Sequence, residues 1–284
     1  MKQFFLVISL MLSLSIPLHA QQADEQKRIL IITASYNNEP WYQRNLDSVF
    51  AQQYDNYHLI YIDDCSTDNT FELVVNYVKQ SDCAHKVTLI KNNERKGAMS
   101  NQYHAIHTYA QPGDIVVILD GDDRFVPNEE VPHVDGAGVL AYVNQMYQDP
   151  TVWITYGQFR VYPTGAHGWA CAYPSSIVER NAFRDYPHGP SHLRTFYADL
   201  FFKIDPQDLM DGQENFVPAS ADLAAMLPMM EMAQQGHFRF VPDVLLEYND
   251  VNPLNEYRVS KQRERTMDLM IRARPRYEPL ETLF

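Results

Sequence analysis

The chain is poor in cysteine, poor in positive charge and, beyond its first residues, without a long hydrophobic run. Each shortage narrows what it can be. Its three cysteines, Cys65, Cys83 and Cys171, form no C-x-x-C pair, which argues against a structural zinc site. An odd count leaves at least one thiol outside any intramolecular disulfide, and Cys65 with Cys83 is a conceivable pair whose geometry the sequence does not test. Lys and Arg number 23 against 36 Asp and Glu, a formal net charge of -13. Nucleic-acid backbones select basic surfaces, so no nucleic-acid partner is expected. Acidity also aids solubility.

What is present fits one globular domain. Of the 284 residues, 45% are hydrophobic and 21% charged, enough apolar surface for a full core and too little polarity for disorder. At the N-terminus Lys2 precedes an uncharged apolar run from Phe4 to Leu18, followed by His19-Ala20-Gln21. This is the pattern of a signal peptide over residues 1–20. The run is shorter than the roughly 20 residues a bilayer span needs. Leu18 is not the small residue expected three positions before a cut after Ala20, so an uncleaved anchor stays open, and membrane contact is expected only in that case. Export to a secreted, periplasmic or ER/Golgi-lumen location follows from the signal.

From Arg28 onward, short apolar runs alternate with amphipathic segments. Strands are expected at Arg28–Ala34, Tyr57–Ile62, Lys86–Ile90 and Asp114–Leu119, and helices at Trp41–Gln53, after Asp68 or Thr70, and at Gly97–Ala110. Alternation of this kind predicts an α/β fold with a mostly parallel central sheet, whose ligands bind beyond the carboxyl ends of the strands. Three polar segments fall at those ends: Ser35-Tyr36-Asn37-Asn38, Asp63-Asp64-Cys65-Ser66 and Asp120-Gly121-Asp122-Asp123. That coincidence says more than any one motif. Further along, helices are expected at Ala137–Tyr147, Leu193–Phe202, Ala221–Gln235 and Ser260–Arg272, a strand at Val152–Phe159, an edge strand at His237–Val241, and loops from Thr164 to Pro190.

Two carboxylates at i and i+2 leaving a buried strand can converge on one cation, and Mg²⁺ and Mn²⁺ prefer oxygen ligands while keeping positions for substrate phosphates. A lone D-x-D triplet is weak, and an acidic turn is its plain alternative. Asp122 is the first candidate for the metal, Asp120 the second and Asp123 a support. Asp64, at the end of the second strand, can accept a hydrogen bond from a ribose or a base; Asp68 reads as a helix cap.

Ala34-Ser35-Tyr36-Asn37, then Leu46, Ser48-Val49 and Gln52, then Ile62-Asp63-Asp64-Cys65-Ser66-Thr67-Asp68-Asn69-Thr70, resemble the start of family 2-type glycosyltransferases with the GT-A fold. Asn92–Asn101 is similar to that family's next segment, and Asp120–Asp123 with Pro127 to its D-x-D-D signature. The likeness covers Ile29 to about Pro127. It implies a metal-dependent, inverting transfer of a sugar from a nucleoside-diphosphate-sugar to a hydroxyl on a glycan, protein or lipid. It further implies that Ala34 and Tyr36 line the nucleobase pocket, that Asp64 binds the base, that Lys96 and Asp120 approach the donor, and that Asp122 holds Mn²⁺ or Mg²⁺. Cys65 stands where the family usually has Gly, and Ser100 where it has Arg.

The catalytic base is expected in the second half. Asp222, opening an apolar helix, fits best, and Asp199, Asp211 and Glu214 compete with it. His188, His192 and Arg194 are candidates to contact the acceptor or to offset diphosphate charge. Trp169, beside Gly165 and Gly168, is the better aromatic candidate for an acceptor sugar, whereas Trp153 and the Met226–Met232 cluster read as core. His237 is a weaker metal candidate. The expected organisation is a signal or anchor at 1–20, a nucleotide-sugar half at 28–130, an acceptor and catalytic half at 131–258, and a C-terminal helix and tail at 259–284. Two other classes stay open: a degenerate, non-catalytic sugar- or nucleotide-binding module, and a nucleotidyltransferase. The latter is disfavoured because the first-strand loop lacks both glycine and a cation.

Overall fold

The computed structural model describes residues 25–284; the expected signal peptide lies outside them. Seven residues of strand β1 (Ile29–Ser35), nearly all buried, form the axis of the sheet. Their run of β-branched and leucine side chains suits a strand covered on both faces. Helix α1 (Tyr42–Phe50), β2 (Tyr57–Asp63), α2 (Thr70–Gln80), β3 (Val87–Lys91), α3 (Ala98–Tyr109) and β4 (Ile115–Ile118) follow in alternation. β2 and β4 flank β1 in parallel, with Ser35 opposite Asp63 and Ile32 opposite Ile118. The three strands therefore stop at nearly one level, and the three polar loops emerge side by side.

The second half comprises β5 (Arg124–Phe125), α4 (Val139–Met146), β6 (Ile154–Tyr162), β7 (Ala166–His167), α5 (Ser175–Glu179), β8 (Arg194–Tyr197), α6 (Ala198–Phe201), α7 (Ala221–Met232), β9 (Phe238–Asn249), α8 (Glu256–Val259) and α9 (Lys261–Arg272). One sheet runs through both halves in the order β3-β2-β1-β4-β8-β6-β9-β5, with β7 on β6. Four of its pairings are parallel and four antiparallel, so the parallel character is concentrated in the first half. β4 and β5 are close in sequence yet four places apart in the sheet. A flat sheet would separate them by about 19 Å at ~4.8 Å per strand. The connection contains the tight turn closed by Asp123 N–H to the Asp120 carbonyl at 3.1 Å, so the sheet curls to let it reach.

Two expectations are corrected here. Leu193–Phe202 is not one helix: Arg194–Tyr197 is a fully buried strand, followed by the single turn of α6. Its apolar residues are compatible with either period, and pairing along both edges with β4 and β6, with all four residues buried, decides for the strand. The strand expected at His237–Val241 extends to Asn249 and lies inside the sheet, between β6 and β5. Pro242, which ends the run in the sequence, sits in a bulge: Gly157 pairs Val241 and Gln158 pairs Val244, so Pro242 and Asp243 are skipped. The Thr164–Pro190 stretch is loop-rich as expected but holds β7 and α5.

α7 is buried around its circumference, and Met226, Met229, Met230 and Met232 are core as expected. Its one charged core residue, Glu231, is held by a two-pronged ion pair to Arg184 at 2.6 and 2.9 Å. Arg184 also donates to the Ile271 carbonyl at 2.6 Å, which ties α9 to the core. Trp153 is buried and stacks on His237 at 3.6 Å, away from the acidic loop. The three cysteines are free thiols, so the conceivable Cys65–Cys83 bond is not formed. No helix among the described residues is long and apolar enough to cross a membrane.

Candidate active site

The wall built by the first half is set mainly by the backbone. Gly121 N–H donates to the Ala34 carbonyl at 3.2 Å and Asp64 N–H to the Ser35 carbonyl at 2.7 Å, which locks the three loops together. A Cβ on Gly121 would lie 2.7 Å from Ser35 Cβ, so only glycine lets the acidic loop pack this closely. Asn45, fully buried on α1, donates to the carbonyls of Asp120 at 3.0 Å and Asp123 at 2.9 Å and fixes the turn from behind.

A cavity of about 290 Å³ opens above these loops. Ala34, Tyr36, Asp120 and Asp122 line it, and so do Asp123, His192, Arg194 and Asp222. Candidates drawn from both halves of the sequence thus face one space. Asp199, Asp211 and Glu214 do not line it. Asp199 accepts from Gly113 N–H at 2.7 Å and Asp211 from Gln213 N–H at 2.7 Å, both in loops elsewhere.

Asp120, Asp123 and His192 have ligand atoms within 4.8 Å of one another. Asp123 Oδ2 and His192 Nδ1 are buried without a hydrogen-bond partner, the condition of groups waiting for a ligand. Carboxylates with one imidazole suit Mn²⁺ better than Mg²⁺, which favours all-oxygen sets. The group keeps Asp120 from the expected metal set and adds Asp123, expected only as support, and His192, expected to contact the acceptor or to offset diphosphate charge. Asp122 faces the same cavity with one carboxylate oxygen accepting from Asn252 Nδ2 at 2.7 Å and is not part of this group. His237 plays no part in it.

The electrostatics are those of crowded, desolvated acids. Burial, with Asp122 and Asp222 nearby, pushes the Asp120 carboxyl up to about 6 despite the opposing charge of Arg194. Burial also raises Asp122, and raises Asp123 well above the usual carboxylate range, with Asp122 and Asp120 adding to the latter effect. His192 is driven well below its ordinary value by burial and by Arg194, so it is neutral near pH 7, the form in which imidazole binds metals. Three neighbouring acids that resist ionising are a configuration that a divalent cation would relieve.

Asp222 sits in the first turn of α7, but its side chain makes no cap there. Oδ2 accepts from Arg194 Nη2 at 2.9 Å, and the same nitrogen lies 3.2 Å from His192 Nε2. Arg194 thereby connects the acidic cluster to the candidate base. It and His192, candidates to contact the acceptor or to offset diphosphate charge, are both buried and line this cavity.

Two donor-side candidates take positions other than those expected. Asp64, 3% exposed, does not line the cavity. Its carboxylate accepts from Asn92 Nδ2, Lys96 N–H and Gly97 N–H, each at 2.9 Å. Burial works to raise its pKa, yet these bonds, together with Asn101, hold it below the ordinary carboxylate value. Asp64 thus organises the loop before α3. Lys96 contributes a backbone N–H to that arrangement, and it is Arg95 that lines the cavity, its guanidinium 3.5 Å above the Tyr36 ring. The cation absent at Ser100 is thus present on the same wall. Cys65, in the family's glycine position, has φ +63°, a left-handed conformation that glycine adopts without strain. Sequence reading missed Arg95, Asn38, Asn45, Asn252 and Glu264. Arg95 and Asn38 lie inside the recognised segments and could have been singled out; Asn252 and Glu264 reach the site only through the fold.

Comparison with known proteins bears on the fold and on the first half of the chain. Residues 30–167 match the family described as "Glycosyl transferase family 2". That segment is just under half of the chain. An Escherichia coli protein named UDP-Glc:alpha-D-GlcNAc-diphosphoundecaprenol beta-1,3-glucosyltransferase WfaP is 34% identical over 98 residues, 34% of this chain and 36% of its own. The chain spans about a third of the length of such relatives. A mannosyltransferase from Pyrobaculum calidifontis, solved with GDP-Man and Mn²⁺, shares the fold with TM-score 0.55 at 21% identity, covering 87% of this chain and 63% of that one. A segment of Staphylococcus aureus TarS solved with UDP-GlcNAc gives TM-score 0.52 at 14% identity, covering 79% and 59%.

Proposed function

We propose that the protein transfers a sugar from a nucleoside-diphosphate-sugar to an acceptor hydroxyl, inverting the anomeric carbon. The observation that carries this reading is the meeting, in one cavity, of the Asp120–Asp123–His192 group with Asp222. A divalent cation bound by that group, Mn²⁺ before Mg²⁺, would supply charge neutralisation to the departing diphosphate.

The remaining chemistry belongs to the chain. Tyr36, on the loop after β1, and Arg95, on the loop before α3 that the Asp64 carboxylate holds, bound the nucleotide side. Asp222 takes the proton of the acceptor hydroxyl as its oxygen bonds to the anomeric carbon. On the opposite face the anomeric carbon–oxygen bond breaks, and its electron pair leaves with the nucleoside diphosphate. Arg194, between His192 and Asp222, is placed to meet the growing negative charge on that leaving group and, in turning toward it, to release Asp222 to act as base. The substrates named for the relatives (UDP-Glc, GDP-Man with Mn²⁺, UDP-GlcNAc) support a nucleotide-sugar donor without choosing among them. A non-catalytic module is the weaker reading, because Asp120, Asp122 and Asp222 share one cavity.

A donor panel tests the proposal. Nucleoside-diphosphate release from UDP-Glc, UDP-GlcNAc and GDP-Man is measured with Mn²⁺, with EDTA and with Asp120→Ala. Release from one donor that is lost in EDTA is expected. Release that survives both EDTA and Asp120→Ala would contradict the metal-assisted mechanism, and release from none of these donors would favour the binding-module reading.

A further inference from the structure

Beside the donor cavity lies a second one, of about 370 Å³, which shares Ser220, Asp222 and Glu264 with it. Its other walls include Trp169, His188, Leu223, Arg265 and the loop Pro187–Pro190. Asp222 thus stands on the boundary between the two spaces. Trp169 is 55% exposed, unusual for the largest apolar side chain and unlike the buried Trp153. It is nevertheless held in place. Its ring meets the edge of Phe159 at 6.2 Å and 82°, and His188 lies against it at 5.6 Å. Gly168 makes this possible, because a Cβ there would sit 2.3 Å from the Phe159 ring. Gly189 likewise lets its loop close on Leu223, where a Cβ would approach to 2.4 Å.

We infer that this second cavity is the acceptor subsite and that the acceptor is a carbohydrate, one pyranose ring of which stacks on Trp169 while a hydroxyl is presented to Asp222. A pyranose has an apolar C–H face and a polar rim. An exposed, oriented indole bordered by His188, Glu264 and Arg265 matches both parts. Glu264, raised by burial and by neighbouring Asp222 and Asp268, supplies a carboxyl suited to hydrogen-bonding hydroxyls. The inference rests on the transferase reading of Asp222.

The test uses the full chain with Mn²⁺ and UDP or GDP. Fluorescently labelled protein is applied to an array of neutral and acidic oligosaccharides, with Ser/Thr peptides alongside. The expected result is binding to at least one glycan class and none to peptides. Trp169→Ala should weaken binding at least tenfold, and Trp169→Phe should keep most of it. Calorimetric binding of the nucleoside diphosphate should be the same in all three proteins. No glycan binding, binding to peptides only, or wild-type glycan binding by Trp169→Ala would overturn the inference. Failure of the transferase reading would show differently, as absence of nucleoside-diphosphate binding in the wild type.

Discussion

The two walls of the cavity are made by different means. The donor wall comes from three loops at the ends of adjacent parallel strands, fixed by backbone bonds such as Gly121 N–H to the Ala34 carbonyl. The opposite wall comes from β8, α7, α9 and the segment after β9, and side chains join it: Arg194 to Asp222, Asn252 to Asp122. A wall set by strand register tolerates side-chain loss, whereas a wall set by side chains fails when one is removed. The buried Arg184–Glu231 pair anchors the second wall, because α7 carries both Asp222 and Glu231.

The largest break in this comparison is expected from Asp222→Asn. It removes the proton acceptor but leaves the donor wall intact, so kcat should fall by about 10²–10⁴ while Mn²⁺-dependent nucleotide affinity stays within a few-fold. Steady-state kinetics with parallel calorimetry reads both. Equal loss of both quantities would show that the walls are not separable.

A smaller effect follows from pH. Asp120 titrates near 6 in the folded protein, above its unfolded value of about 3.9. The folded state thus holds a proton that the unfolded chain has released between these values. Metal-free stability should therefore be highest below about 4 with respect to this group and decline as pH rises toward 6. A bound cation needs the carboxylate, so Mn²⁺ affinity should weaken by about tenfold per unit as pH falls below 6. Thermal melting with and without Mn²⁺ at pH 5 and 7.5 checks this: the stabilisation by Mn²⁺ should be larger at pH 7.5, and an equal shift at both would remove Asp120 from the ligand set.

The smallest effect belongs to the donor wall. Cys65→Gly relieves a left-handed non-glycine residue and should stabilise by about 1 kcal/mol, read as a shift in denaturation midpoint. A destabilised variant would mean that the Cys65 side chain contributes more by packing than its backbone costs.

The same contrast explains what could be read in advance. Ala34, Tyr36, Asp120 and Asp122 were legible because a short continuous apolar run followed by a polar loop is a local signal, and three such loops recur along the first half. Asp222 was legible as an acid opening an apolar helix. Its partner Arg194 was assigned to a helix because its neighbours suit either period, and only burial between β4 and β6 makes that segment a strand. His192 joins the acidic cluster by being carried on that strand's approach, a relation of tertiary structure with no local signature. Asp64 was found, but its partners in the 92–97 loop, which take up its carboxylate, were not.

The measurement that bears most directly on the account is Mn²⁺ binding by the wild type, His192→Ala and Asp122→Ala, followed by electron paramagnetic resonance of the free ion. If the cation is shared between the two walls, His192→Ala should weaken binding on the order of 100-fold, and Asp122→Ala should weaken it less. Wild-type affinity in His192→Ala, with loss confined to Asp122→Ala, would contradict the shared site and return the metal to the D-x-D loop alone.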